Sequence, residues 1–241
     1  MRRLTYVFLL ALAQLAPAET SKEIVARVAR DCHGAFMGAI DSYGDSPKVG
    51  GVIDDNDPSR PSFGAFKRSS ERVIPAFKAT FSGAASEPRV IVAVVSNAEI
   101  SAWTVQRWGS DSKGHTISLV CVPTAFVDFI GNEDELAFVI GHEIGHAVDT
   151  DPGCRNYGSL AREAKVVCEI RADAIGYHLL RLANYSPYAT AGVFGRLEMY
   201  SGDTHTGITG MFAQLAIDHP ITPKRIENMR RLLIEELRAA R

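Results

Sequence analysis

The stretch from Val139 to Asp149, Val-Ile-Gly-His-Glu-Ile-Gly-His-Ala-Val-Asp, constrains this chain more than any other. His142 and His146 are four residues apart. On an α-helix their imidazoles stand on one face, one turn apart, close enough to share a metal ion. Glu143 lies on the adjacent edge of that face, where its carboxylate could reach a water on that metal. The flanking residues predict the helix itself. Asn132 supplies a side-chain cap, and Glu133, Asp134 and Glu135 place negative charge at the positive end of the helix dipole. Asp151-Pro152-Gly153 stops the helix, which is expected over residues 133–148.

A metal centre that performs chemistry takes three protein ligands and keeps one position open for water. A second helix, expected from Ser159 through Ala183, offers the third. Glu169 and Asp173 are four apart on one face of it. Glu169 would complete a His-His-Glu set. Asp173, one turn further, could accept a hydrogen bond from a ligand imidazole and fix its orientation. Two acids on a solvated face would be the plainer reading. Ala164, Val167, Ala172, Ile175 and Gly176 argue for a packed helix instead, and buried acids need partners.

The N-terminus reads differently from the rest. Arg2 and Arg3 precede an apolar run from Leu4 to Ala16, and Ala16-Pro17-Ala18 puts small residues at a cleavage position. This pattern predicts a secretory signal peptide over residues 1–18, cut after Ala18, and the run is too short to span a bilayer comfortably. Its removal takes away two positive charges and no negative ones, moving the net charge from −2 to −4. No transmembrane segment is expected in the mature chain. The remaining positive charges are scattered, which argues against a nucleic-acid partner. Cys32, Cys121, Cys154 and Cys168 suggest two disulfides in an oxidising compartment, with three connectivities open. Cys154–Cys168, which closes a short loop, is favoured, leaving Cys32–Cys121.

Apolar residues at Ile24, Val28, Cys32, Phe36 and Ile40 predict an amphipathic helix ending near Tyr43-Gly44. Residues 41–64 lack periodicity and read as a polar loop, and a helix follows between Ser69 and Phe81, bent or started near Pro75. Strands are expected at Arg89–Ser96, Ala102–Arg107 and Ile117–Val122, with a turn at Asp111-Ser112-Lys113-Gly114. Short helices follow from Thr124 and from Ser186-Pro187, and a last one from Thr222-Pro223. The fold class is therefore α+β, mostly helical, with a small sheet of about three strands beside the motif helix. Residues 19–241 are expected to form one domain, with N-terminal helices and loop over 19–88 and a catalytic core over 89–241.

His142-Glu143-Ile144-Gly145-His146 followed by Glu169-Ile170-Arg171-Ala172-Asp173 resembles the HExxH…ExxAD signature of the HtpX-like and type 1 CAAX prenyl protease family of zinc metallopeptidases, gluzincins by their ligand set. Asn132-Glu133-Asp134-Glu135-Leu136-Ala137 leads into the motif in the family's order. Downstream, His219-Pro220 with Arg225-Ile226 resembles its C-terminal His-Pro…Arg-Ile element. The likeness covers roughly residues 89–230. Two features depart from it. Only 22 residues separate His146 from Glu169, and Glu99-Ile100-Ser101-Ala102-Trp103 replaces a Gly-rich stretch. The family's membrane helices are absent, so the chain resembles a soluble, secreted branch.

The resemblance implies one Zn2+ per chain held by His142, His146 and Glu169, with Glu143 as general base and Asp173 behind the ligands. It points to His219 or Arg225 as the group that steadies the tetrahedral intermediate. His205, in a Gly- and Thr-rich loop, is a candidate latch for the open position. The expected activity is a periplasmic or secreted zinc metalloendopeptidase acting on peptides or unfolded protein, in envelope protein quality control and with an envelope protein partner. A hydrolase of cell-wall amide bonds and a non-catalytic, chaperone-like module are the alternatives. The strand ending at Val122 is expected to pair with an extended peptide.

Overall fold

Arg89–Ser96 (β3) is the spine of the molecule. Its side chains alternate between two cores, Val90, Val92 and Val94 on one side and Ile91, Ala93 and Val95 on the other. Burial on both faces explains the unbroken apolar run. The structure is a computed structural model that describes residues 21–41, 49–50, 60–82, 88–110, 115–154, 157–201 and 219–239. The signal-peptide stretch, the turn at 111–114 and His205 lie outside the described residues.

The elements follow in chain order. Helix α1 spans Ser21–Asp31, strand β1 Ala35–Asp41 and strand β2 Val49–Gly50. Helix α2 spans Arg60–Phe81 and is followed by β3, then β4 over Trp103–Ser110 and β5 over Thr116–Pro123. Among the described residues, helices α3 (Thr124–Ile130), α4 (Glu133–Val148), α5 (Arg162–Leu182), α6 (Ala189–Ser201) and α7 (Pro223–Ala239) follow. The sheet order is β2-β1-β3-β5-β4, with β3 and β5 parallel and the other pairs antiparallel. Helix α1 packs through Val28 and Cys32 on one face of the sheet, and α2 to α7 cover the other.

The α+β, mostly helical class matches the sequence reading, but three details differ. The first helix stops at Asp31 rather than near Tyr43. His33 adopts a left-handed backbone (φ 50°), and the His33 and Gly34 amides bond the carbonyls of Arg30 and Ala29, a Schellman ending. Residues 35–41 then join the sheet, which has five strands among the described residues rather than three. Helix α2 begins at Arg60, inside the expected loop, because Pro61 suits a first helical turn, and it runs through Pro75. The strand ending at Val122, β5, is hydrogen-bonded to β3 and to β4, so it has no edge to offer a peptide; the edge strand on that side of the sheet is β4.

Helices α4 and α5 meet along small residues. A methyl group added at Gly145 would lie 2.8 Å from Ala172 Cα and 2.9 Å from its carbonyl oxygen. One at Gly176 would lie 2.8 Å from the His142 amide nitrogen. Both obstacles are backbone, which cannot rotate away. Gly145→Val is therefore expected to cost about 1–3 kcal/mol as overpacking. It should lower the melting temperature, because the backbones of α4 and α5 must move apart to admit the added side chain. An unchanged melting temperature would refute this close approach.

Candidate metal centre

Helix α4 starts as its cap dictates, with the Asn132 side chain accepting a hydrogen bond from the Glu135 amide at 2.8 Å. His142, Glu143 and His146 project from its buried face, and Glu169 and Asp173 project from α5 opposite. His142 Nε2 and His146 Nε2 are 3.2 Å apart. Glu169 Oε2 lies 3.4 Å from His142 Nε2, and Glu169 Oε1 lies 3.0 Å from His146 Nε2. His219, just before α7, brings Nδ1 to 3.4 Å from Glu169 and Nε2 to 3.6 Å from Glu143 Oε1. His142, His146, Glu169 and His219 each offer a donor atom within 4.8 Å of the others.

These separations fit a small divalent ion. Donors at about 2.1 Å from a tetrahedral zinc stand about 3.4 Å from one another. The three contacts among His142, His146 and Glu169 range from 3.0 to 3.4 Å. Two imidazole nitrogens and one carboxylate also form the set that zinc favours. Asp173 Oδ1 lies 2.9 Å from the other ring nitrogen of His142, close but out of line for a regular hydrogen bond.

Arg225 anchors the acids from below. Its guanidinium donates to both oxygens of Asp173 at 2.8 and 2.7 Å and lies 2.6 Å from Glu169 Oε2. Burial alone would raise the pKa of both carboxyls, but Arg225, together with the nearby histidines, reverses this. Glu169 is held well below the usual carboxylate range, and Asp173 is lowered too. Burial also opposes charge on His142, and the Glu169 and Asp173 carboxylates override it, pushing its pKa up to about 10. Burial opposes charge on His219 in the same way, and Glu169 and Glu143 raise its pKa. A cavity with this excess of negative charge suits a cation.

Other side chains fix the frame. The Thr104 hydroxyl on β4 lies 2.8 Å from the Glu143 carbonyl and 2.9 Å from its Oε2, and can donate to either. Gln106 donates to the His146 carbonyl at 2.6 Å, satisfying a helix-end acceptor. Tyr157 donates to Glu169 Oε1, and its ring lies 5.0 Å from that of His146. Arg171 grips Asp149 through two nitrogens and Asp151 through a third, tying the end of α4 to α5. Cys154–Cys168 is bonded and holds the short link between the helices against the turn of α5 that carries Glu169. Cys32–Cys121 is bonded as well, joining the end of α1 to β5.

The structure thus brings His142, Glu143, His146, Glu169, Asp173, His219 and Arg225 together. Arg225 faces the carboxylates rather than open space. His219 stands among the candidate metal donors as well as beside Glu143. Thr104 and Tyr157 are absent from the sequence reading. Tyr157 lies in the shortened link between His146 and Glu169, the one local signal that could have drawn attention to it. Two 3-10 turns, Pro152–Cys154 and Tyr157–Ser159, occupy that link.

No curated protein matches the chain. The sequence model of peptidase family M48 matches residues 66–162, from the second turn of α2 to the start of α5. His142, Glu143 and His146 fall inside the match; Glu169, Asp173, His219 and Arg225 lie beyond it and are joined to it by the distances above. Over the matched stretch the chain is similar to peptidase family M48, and the fold that carries that stretch is compatible with the likeness.

Proposed function

We propose that this chain is a zinc-dependent metalloendopeptidase in which His142, His146 and Glu169 hold the ion and Glu143 is the general base. The observation that carries the reading is the tetrahedral spacing of three donors with a carboxylate directly beside them. A bound zinc would supply Lewis acidity, bringing a water's pKa to about 7 and polarising the scissile carbonyl.

The chain's own groups do the rest. Glu143 takes the proton of the attacking water on its carboxylate and passes it to the leaving amine. With Thr104 beside Oε2, Oε1 is the oxygen left to act, and it is the one nearer His219. The His219 imidazole can donate to the oxygen of the tetrahedral intermediate. Asp173 orients the His142 ring, while Arg225 holds Asp173 and Glu169 in place. An extended peptide would add to β4, the edge strand nearest the motif helix, its main chain setting the register.

The leader-like residues 1–18 and two disulfides support a site of action in the periplasm or outside the cell, in envelope protein quality control, with residues 19–241 as a single domain. No helix among the described residues is long and apolar enough to cross a membrane. Peptides or unfolded proteins are the proposed substrates.

The decisive assay uses purified, zinc-loaded mature protein and an unfolded protein substrate. Cleavage should occur, stop with a chelator and return with added zinc. Cleavage that ignores the chelator, or none at all, overturns the reading. Release of fragments from peptidoglycan alone would favour the cell-wall amide hydrolase instead.

A further inference from the structure

Glu169 reaches the site at the end of a side chain whose last torsion is soft. The plane of a glutamate carboxylate is set by its partners rather than by its own rotamer. Here the two oxygens have unlike partners. The Arg225 guanidinium, a cation, lies 2.6 Å from Oε2. The Tyr157 hydroxyl, a neutral donor, gives its hydrogen bond to Oε1. That oxygen is the one 3.0 Å from His146 Nε2. A carboxylate gripped at one oxygen can still turn about that contact, and a second donor at the other oxygen fixes its plane. Glu169 is fully buried, so bulk water cannot stand in for a lost donor.

Tyr157 belongs to neither helix of the site. It opens the second 3-10 turn of the link between α4 and α5, where the Leu160 amide bonds the Tyr157 carbonyl at 3.1 Å. The first turn is closed by the Cys154 amide on the Asp151 carbonyl at 3.0 Å. Its Cys154 is bonded to Cys168, the residue before Glu169, so the link is pinned beside the carboxylate it serves. The Tyr157 ring is held as well. It lies 5.0 Å from the His146 ring at 57°, and the buried Lys165 places its ammonium 5.1 Å from the ring centre. One side chain from the link therefore meets two of the three proposed ligands, His146 through its ring and Glu169 through its hydroxyl.

We infer that Tyr157 is a positioning residue of the metal centre: its hydroxyl sets the plane of the Glu169 carboxylate so that it and the two imidazoles converge on one ion. The inference rests on the proposed ligand set of the peptidase reading and adds the element that holds it. The short link between His146 and Glu169 is then a working part of the site. Its length, its disulfide and its 3-10 turns all serve to bring one phenol back to the helix it precedes.

The test reads the metal directly and needs no substrate. Zinc affinity of the folded protein is measured by competition with a chromophoric chelator. Co2+ in place of zinc reports the ligand geometry through its visible bands. Tyr157→Phe removes the hydroxyl and keeps the ring. It should weaken zinc binding by about 10- to 100-fold and change the position or intensity of the Co2+ bands. Tyr157→Leu, which also removes the ring from His146, should weaken binding at least as much. A phenol that only packs the link would behave differently. Tyr157→Phe would then lower the melting temperature of the zinc-free protein and leave affinity and spectrum alone, which overturns the inference. A loss with Tyr157→Leu and none with Tyr157→Phe also overturns it, since the ring alone would be at work. Cleavage of an unfolded substrate is followed beside these measurements. If the wild type cuts nothing and Tyr157→Phe still weakens zinc binding, the peptidase reading fails and the positioning role stands. If the wild type cuts in a chelator-sensitive way and Tyr157→Phe binds zinc as tightly, only the positioning role fails. A wild type that takes up no zinc overturns both.

Discussion

Glu143→Gln is expected to lower kcat/KM on an unfolded substrate by about 100- to 10,000-fold, the range for loss of a general base. Bound zinc and the melting temperature should be nearly unchanged. The side chain is 2 % exposed, so the base works out of bulk water. Glutamine has the same shape, and its amide can still meet the Thr104 hydroxyl beside Oε2. What it lacks is a carboxylate at the second oxygen, 3.6 Å from His219. Hydrolysis rates and zinc content by elemental analysis read the two effects separately. A variant that keeps more than a tenth of the activity would remove Glu143 from its role, and one that loses zinc would make it a structural residue instead.

Arg225→Ala is expected to be the most destabilising single change at the site. The guanidinium is 3 % exposed and faces two carboxylates that are fully buried. Taking away one member of a buried ion pair costs about 3–5 kcal/mol, since the remaining charge stays buried without compensation. At about 2–4 °C per kcal/mol for a chain of this size, the melting temperature should fall by roughly 6–20 °C. Arg225→Lys should recover only part of this, because an ammonium cannot grip both Asp173 oxygens as the planar fork does. Thermal unfolding of the two variants with zinc present decides the matter. A fall of under about 3 °C for Arg225→Ala would show that the pair contributes little.

The parts of this site that the sequence made legible are those set locally. The Asn132 cap, the spacing of His142 and His146, and the pairing of Glu169 with Asp173 on one helix face depend on residues within a turn or two of each other. Helix α4 accordingly occupies the expected residues 133–148. The N-terminal segment misled because Phe36 and Ile40 serve a strand as well as they extend a helical stripe. The left-handed turn at His33 that ends α1 has only a weak marker, since histidine enters that conformation more readily than most side chains but far less readily than glycine. Strand order is decided by contacts distant in sequence, so the edge position of β4 could not be read from the residues of β4 and β5. Thr104 and Tyr157 matter for what they touch across the fold. Arg225 was visible as a position, but its grip on Asp173 and Glu169 exists only once α7 lies beneath α5.

The seam of Gly141, Gly145, Ala172 and Gly176 has a further consequence. None of these residues carries a reactive group, yet together they set the gap between the helix that bears the histidines and the helix that bears Glu169. They act as a spacer gauge whose thickness is the absence of side chains. Selection on the activity would therefore register at four positions with no chemistry of their own. A comprehensive substitution map should reveal a stripe of intolerance along the α4–α5 contact nearly as deep as at the metal donors. Redesign of the centre for a larger ion would begin there, by widening the gauge, before any ligand is changed.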